Sequence, residues 1–282
     1  MPRISTRKSW ARRLRRSATR CKSSANSAFT STTSTNPPPY PLHLDSRPET
    51  IRKSIDGTLK RLGTDHLDLY LQHRIDPNVE PEAVAETMAD LIARGKVLHW
   101  GISEANEDYL RRAHAVCPVT AIENRLSLMA RWHMSLFPVL DELGIGFLAF
   151  SPLANGFLTG AVKKGDATRF DKATDYRAAM PQFNDRAIDQ NRALTELVAK
   201  VAAAHDATPA QISLAWMLAE RPYIVPIPGS RKTERLAENA GAAAIELSGQ
   251  ELASIDAALE HMPMSDVFGG SPAKGDTAAE RR

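Results

Sequence analysis

Residues 224–242, IVPIPGSRKTERLAENAGA, place an apolar run, a glycine turn and three cations in close succession. Ile224-Val225-Pro226-Ile227 reads as a short buried strand and Pro228-Gly229-Ser230 as a turn. A helix follows over about 231–241, with Leu236 and Ala240 on one side. A helix entered from such a turn presents unpaired first-turn amides and the positive end of its dipole, which together suit an anion. Ser230 adds a hydroxyl, and Arg231, Lys232 and Arg235 add charge, Arg235 lying one turn beyond Arg231 on the same face. A mono-phosphate is the natural ligand of this arrangement. The plain alternative is a capped surface helix with ordinary basic residues.

Other residues able to do chemistry sit where apolar runs end. They are His73, Ser103, Glu104, Glu123, Asn124, Phe150 and Ser151. The elements that must position them alternate. Ser46-Arg47-Pro48-Glu49 reads as a helix start with a capping hydroxyl, and Ile51, Ile55, Leu59 and Leu62 recur at helical spacing up to Gly63. Strands are predicted at 66–73, 96–103, 118–124, 145–151 and 224–227. Helices are predicted at 82–94, 106–116, 133–143, 187–205, 209–220, 231–241 and 248–260. The polar segment 154–186 is too long for an ordinary connection and reads as a functional loop. Repeated β-then-α order implies parallel strands with crossover helices, in a barrel or a doubly wound sheet. In a barrel the ligand site lies where strands end and loops begin, which is where these polar residues fall.

At 282 residues the chain can form one large α/β domain of ordinary composition. No run is long and apolar enough for a membrane helix, so no membrane partner is expected. The two cysteines, Cys21 and Cys117, fit a reducing compartment, taken as the cytoplasm, and exclude a thiolate-built zinc site; no metal ligands are assigned. The net charge of +3 is unevenly spread: residues 1–44 hold nine Lys or Arg and no acid, so the rest of the chain is acidic overall.

Residues 1–44 are rich in Arg, Ser, Thr and Pro, with no sustained period of 3.6 or 2. Such a segment buries too little to offset its ordering entropy, and it is expected to be a disordered basic tail. Three readings compete: an organellar transit peptide, a basic nucleic-acid arm, and a frame-shifted or mis-started text joined to a real domain. The nucleic-acid reading is the weakest, because Trp10 is the lone aromatic amid the charges. The domain proper is placed at 45–262, and 263–282 is read as a flexible C-terminal tail.

Four runs, in order, carry a specific resemblance: 51–76 (IRKSIDGTLKRLGTDHLDLYLQHRID), 95–103 (GKVLHWGIS), 150–160 (FSPLANGFLTG) and 227–242 (IPGSRKTERLAENAGA). Together they resemble the aldo-keto reductases, over about residues 45–262. That resemblance implies a (β/α)8 TIM barrel, NADPH as cofactor and an aldehyde or ketone as small-molecule substrate. It also implies that the strands between 66 and 151 are barrel strands four to seven and that 224–227 is strand eight. His73 matches the family's carbonyl-orienting histidine; outside the motif it would read as a histidine satisfying a loop carbonyl. Ser103 matches the hydroxyl that contacts the nicotinamide carboxamide. Glu123 stands where the family usually has glutamine, and a carboxylate accepts but cannot supply the amide's N–H. Phe150 occupies the place of a ring stacked on the nicotinamide, with strand-end packing as the alternative. Ser151, Leu153, Gly156 and Leu158 match the pyrophosphate loop. Gly229, Ser230 and Arg235 match the holders of the 2′-phosphate, with Glu238 and Asn239 on the adenine side, which favours NADPH over NADH.

The resemblance also implies a catalytic aspartate, tyrosine and lysine on three β/α units before Asp45, and none of those motifs is found there. Three units need roughly 90 residues at about 30 each. About five of eight strands are therefore expected, with the change of text near residue 43 read as a frame change. Two open barrel edges would follow, with self-association as an expected consequence. The leading expectation is an NADPH-dependent reductase of impaired activity; the alternative is a non-catalytic NADP(H)-binding or regulatory protein.

Overall fold

The computed structural model describes residues 24–27, 29–31, 42–165, 170–171 and 175–267. The flexible tail expected at 263–282 therefore lies mostly outside the described residues. The chain divides into two compact units, one of residues 1–123 and 139–146, the other of 124–138 and 147–282.

In the first unit β1 (Ser24–Ser27) is followed by a small antiparallel ribbon of β2 (Phe29–Ser31) and β3 (Leu42–Leu44). Next come α1 (Pro48–Leu62), β4 (Leu67–Gln72), α2 (Pro81–Ala93), β5 (Val97–Ser103), α3 (Glu107–Val116) and the start of β6 (Ala121–Arg125). β1 pairs parallel with β4, β4 with β5, and β5 with β6. β1 corrects the expectation that residues 1–44 carry no strand. It also adds a parallel strand to the five expected. Its residues, SANS, have no apolar alternation to read, and parallel pairing uses only the backbone.

α1 buries Ile51, Ile55 and Leu59 on one stripe and ends at Gly63 in the left-handed conformation, φ 66°. Its start differs from the expected cap. Ser46 is fully buried, its N–H donates to Asp76 at 3.1 Å and its hydroxyl accepts from Gln72 at 3.1 Å. The Asp45 carboxylate takes the local role, accepting from the Arg47 N–H and the Thr50 hydroxyl. Gln72 also exchanges hydrogen bonds with the Tyr109 phenol at 3.1 Å, and burial pushes that phenol up to about 12.

The register of β4, β5 and β6 sets side chains in layers. Leu71, Gly101 and Ala121 lie abreast, as do Gln72, Ile102 and Ile122 one step on. Side chains alternate between faces along a strand, so these two rows face opposite ways. Gly101 has no spare room. A Cβ there would sit 2.3 Å from the Ala121 carbonyl oxygen and 2.6 Å from Leu71 Cδ2.

In the second unit β6 ends and a bridge joins Ser127 to Ala130. The chain crosses between units within α4 (Phe137–Leu143) and again at the start of β7 (Gly146–Phe150). Then come α5 (Asp185–Gln190), α6 (Arg192–Ala204), α7 (Pro209–Glu220), β8 (Ile224–Pro226), α8 (Thr233–Gly241) and α9 (Gly249–His261). β8 pairs parallel with β7. The helix expected at 187–205 is two helices broken at Asn191, whose side chain is bonded to Ser265. α7 has the predicted bounds because Thr208 and Gln211 close a capping box with Pro209 in the first turn. Trp216, Leu194, Ile212, Ile255 and Leu259 form the buried core against which α6, α7 and α9 pack. Among the described residues no helix is long and apolar enough to cross a membrane.

Replacing Gly101 by Ala is expected to destabilise the protein by about 2 kcal/mol or more, since both neighbours at the site are too close to yield cheaply. Denaturant unfolding of Gly101→Ala against the parent chain checks this, and an unchanged midpoint would refute it.

Candidate functional site

The polar residues at the strand ends of the first unit follow from the register just given. Ser103 is opposite Glu123, and His73 is the next residue past the pair Gln72 and Ile102, so it comes level with Ser103. All three fall on the face that carries Leu71, Gly101 and Ala121. Tyr70 belongs to the opposite row, beside Trp100, and Tyr109 bonds Gln72 in that same row. Both described tyrosines of this unit thus face away from His73.

The carbonyl of Glu123 ties the two strand ends together. It accepts from the Ser103 hydroxyl at 2.8 Å and from the Glu104 N–H at 3.1 Å. Glu104 turns the chain out of β5 in the left-handed region, φ 56°, a conformation that costs a non-glycine residue energy. Arg74 donates to the His73 carbonyl at 2.7 Å and to the Ser103 hydroxyl at 3.1 Å. The Ser103 proton is directed at Glu123, so toward a ligand this hydroxyl offers a lone pair. His73 is half-buried, and burial first and the Arg74 charge second hold its pKa below the ordinary value. A neutral imidazole keeps one N–H to donate and one lone pair. The expected site assigns no role to Arg74, although it directly follows the histidine.

In the second unit Asn124 is fully buried and its amide lies 3.2 Å from His133 Nδ1. Arg125, also buried, places its guanidinium 4.8 Å from the centre of the Phe150 ring. One face of Phe150 is therefore occupied.

Past β7 the backbone bends sharply. Ser151, Ala154, Asn155 and Gly156 all have positive φ, from 48° to 98°. Leu153 accepts from the N–H groups of both Gly156 and Leu158, which closes this turn, and Leu158 is buried beneath it. The N–H groups of Ala154, Gly156 and Leu158 are thus spent on backbone carbonyls within the turn, Ala154 donating to Ser151 at 2.9 Å. At Gly156 a Cβ would meet nothing within 4 Å, so the space beside it is open.

That space belongs to a cleft of about 220 Å³ lined by Gly156, Thr159, Phe170, Arg177 and Arg235, among others. The structure thus brings together two residues expected at a nucleotide site from segments far apart in sequence, Gly156 and Arg235. It also supplies Arg177, which sequence reading missed because the loop around it follows no recognisable pattern. The loop is less irregular than expected: Phe157, Phe183 and Phe170 pack edge to face, with Phe157–Phe183 and Phe170–Phe183 centroids 6.0 and 5.2 Å apart.

The remaining expected residues lie in and just before α8. α8 begins at Thr233, so Ser230 lies ahead of the helix, and its hydroxyl bonds the backbone of Lys232. Gly229 is exposed and has no left-handed φ, so the turn does not demand glycine there. Glu238 accepts from the Thr208 hydroxyl at 2.7 Å, and its carbonyl accepts from Gln211 at 3.0 Å. Its carboxylate therefore anchors α8 to the cap of α7. Asn239 is half-buried one residue on.

The aldo/keto reductase family model matches residues 16–260, a span that crosses the change of composition near residue 43. A probable aldo-keto reductase 1 of Glycine max is 38% identical over 230 residues, which are 81% of this chain and 64% of that protein. An aldo-keto reductase of Strobilurus tenacellus is 36% identical over 212 residues, 74% of this chain and 62% of that protein. The chain thus spans just under two thirds of the length of these curated relatives. Among solved structures, a thermostable aldo-keto reductase in complex with the inhibitor epalrestat aligns with a TM-score of 0.59 at 26% identity, covering 75% of this chain and 66% of that one. A glycerol dehydrogenase of Gluconobacter oxydans aligns with a TM-score of 0.77 at 22% identity, covering 84% and 72%, and shares the fold.

With its pKa lowered, His73 is expected to titrate below 6.5 in an NMR experiment. Arg74→Gln should move the midpoint up, though not fully, since burial is the larger cause. The unfolded chain binds this proton more readily, so the group's contribution to stability rises with pH between the lowered and ordinary values and is lost as pH falls through that window. A His73 midpoint at or above 6.5 would contradict the assignment.

Proposed function

Because the chain belongs to the aldo/keto reductase family, an α/β barrel family of oxidoreductases, we propose that it takes NADP(H) and an aldehyde or ketone that is reduced to the alcohol. The observation that supports the cofactor assignment is the cleft lined by both the left-handed turn at Gly156 and Arg235. The residues fit the group: the open space beside Gly156 lets a diphosphate come close to the backbone, and Arg235 suits the further phosphate of NADP(H) by a charge-assisted fork. When bound, the nicotinamide supplies the hydride.

The chain's own residues orient and polarise. Neutral His73 is placed to donate its N–H to the carbonyl oxygen, which draws charge toward that oxygen as the carbon is attacked. Ser103, its proton committed to Glu123, accepts from a carboxamide N–H. Glu123 accepts likewise, where an amide side chain would have both accepted and donated. Phe150, its other face covered by Arg125, supports a ring from one side.

The proton for the developing alkoxide is the weak point. Tyr70 and Tyr109 lie on the row facing away from His73, and burial holds the Tyr109 proton more tightly than usual. Among the described residues of the first unit no tyrosine faces His73, and without a positioned general acid the rate would fall about 10²–10⁴-fold. The same facing-away tyrosines favour a second reading, a protein that binds NADP(H) without turning it over. The buried, free Cys117 accords with action in a reducing cytoplasm.

Titration of the full chain with NADPH, followed by nucleotide fluorescence with NADH as control, tests the cofactor reading. NADPH is expected to bind more tightly, and Arg235→Leu to reduce that preference by about tenfold or more. Equal affinity for both nucleotides, or no binding, would overturn it. Slow oxidation of bound NADPH by an aldehyde would separate the reductase from the binding protein.

A further inference from the structure

Ser46 lies two residues before α1 with no exposed surface, and both of its polar groups reach the same short span of chain. Its hydroxyl accepts from Gln72 Nε2 at 3.1 Å, and its N–H donates to Asp76 Oδ2 at 3.1 Å. Gln72 is the last residue of β4, and Asp76 lies beyond the corner that carries His73 and Arg74. Both anchors are buried, whereas His73, Arg74 and Ile75 between them are half-buried and belong to no helix or strand. Asp76 is itself fixed: its other oxygen accepts from the Asn78 N–H at 3.0 Å and from the Asn78 side-chain amide at 3.1 Å. One residue from elsewhere in the chain thus holds the corner at both ends. Buried polar bonds of this kind are costly to break, because the freed groups find no water in exchange. From the corner Arg74 donates to the Ser103 hydroxyl at 3.1 Å. A contact made behind the sheet therefore bears on one made at the face of His73 and Ser103.

We propose that Ser46 is a positioning residue of the His73 corner: it pins Gln72 by its hydroxyl and Asp76 by its N–H, and so holds His73 and Arg74 in place beside Ser103. Its bearing on the reaction rests on the reading of His73 as the donor to a carbonyl oxygen; the pin itself does not. Tyr109 gives the contrast. It too is buried and bonds the Gln72 amide at 3.1 Å, but it comes from α3 and meets the corner at its strand end. Removing the Ser46 hydroxyl disconnects the two ends of the corner from each other, and removing the Tyr109 hydroxyl leaves them connected. Once the ends part, water reaches the imidazole and Arg74 moves. Both changes act upward on a pKa that burial and the Arg74 charge hold down.

The test uses the full chain without nucleotide, as parent, Ser46→Ala and Tyr109→Phe. The His73 midpoint is read by NMR titration and stability by denaturant unfolding. The charged groups on the His73 face, Arg74 and, two strands along, Glu123, are the same in all three. Ser46→Ala is expected to raise the His73 midpoint by about half a pH unit, roughly threefold in proton affinity. Tyr109→Phe should lower stability and leave the midpoint where the parent has it. A raised midpoint in Ser46→Ala alone supports the proposal. Lower stability with an unmoved midpoint makes Ser46 a plain structural anchor and overturns it. An equal rise in both variants also overturns it, since that marks a general loosening of the buried network. Should Ser46→Ala fail to fold, Ser46→Cys decides, because a thiol accepts only weakly: a raised midpoint supports the pin and a parent midpoint refutes it. With no nucleotide present, failure here leaves the cofactor reading standing. A parent that binds no NADPH would sink that reading without touching this one.

Discussion

The close approach of three parallel strands at Gly101 fixes where the chemistry of the first unit can be. Leu71, Gly101 and Ala121 lie abreast with no room for one more carbon, so the strands cannot slide past one another by a residue without moving a side chain into backbone. A one-residue slip would also exchange the two faces. His73, Ser103 and Glu123 are level because that register holds. Tyr70, Gln72 and Tyr109 are on the far face for the same reason, where they tie Ser46 and the start of α1 to the sheet. The sheet itself thus separates the face that carries His73, Ser103 and Glu123 from the face that holds a helix in place.

The second unit holds two arginines of the same cleft in different ways. Arg235 projects from an exposed helix, where solvent screens it. Arg177 is held by stacking and by a carboxylate on its own turn, whose pKa that guanidinium lowers to about 2. The aromatic trio below it turns a long polar connection into a local core. The loop can then present a defined surface although it has little regular structure.

Much of this was legible in the sequence, for identifiable reasons. The order of strands and helices followed from periodicity, and α7 from Thr208, Pro209 and Gln211 acting as a cap. The strand-end positions of His73, Ser103 and Glu123 followed from the same alternation. Ser46 misled because a hydroxyl before Pro48 looks like a local cap, whereas its groups are spent on Asp76 and Gln72, distant in sequence. Glu238 has a partner that its own segment does not announce: Thr208, thirty residues away, donates to its carboxylate. β1 was invisible because backbone pairing leaves no trace in SANS. Arg177 was invisible because its value comes from Asp175 and Phe170, whose roles arise only once the loop has folded.

The path of the chain between the two units carries its own consequence. It leaves the first unit after Glu123, returns at Val139 and leaves again after Gly146. No single cut can then yield two fragments that each contain a whole unit. A break before residue 139 strips the first unit of its returning segment, and one after residue 146 leaves residues 124–138 on the wrong fragment. Splitting the gene at any one loop would therefore give halves that must recombine to restore both units; the whole first unit needs residues 1–146 and the whole second needs residues 124–282, two stretches that overlap.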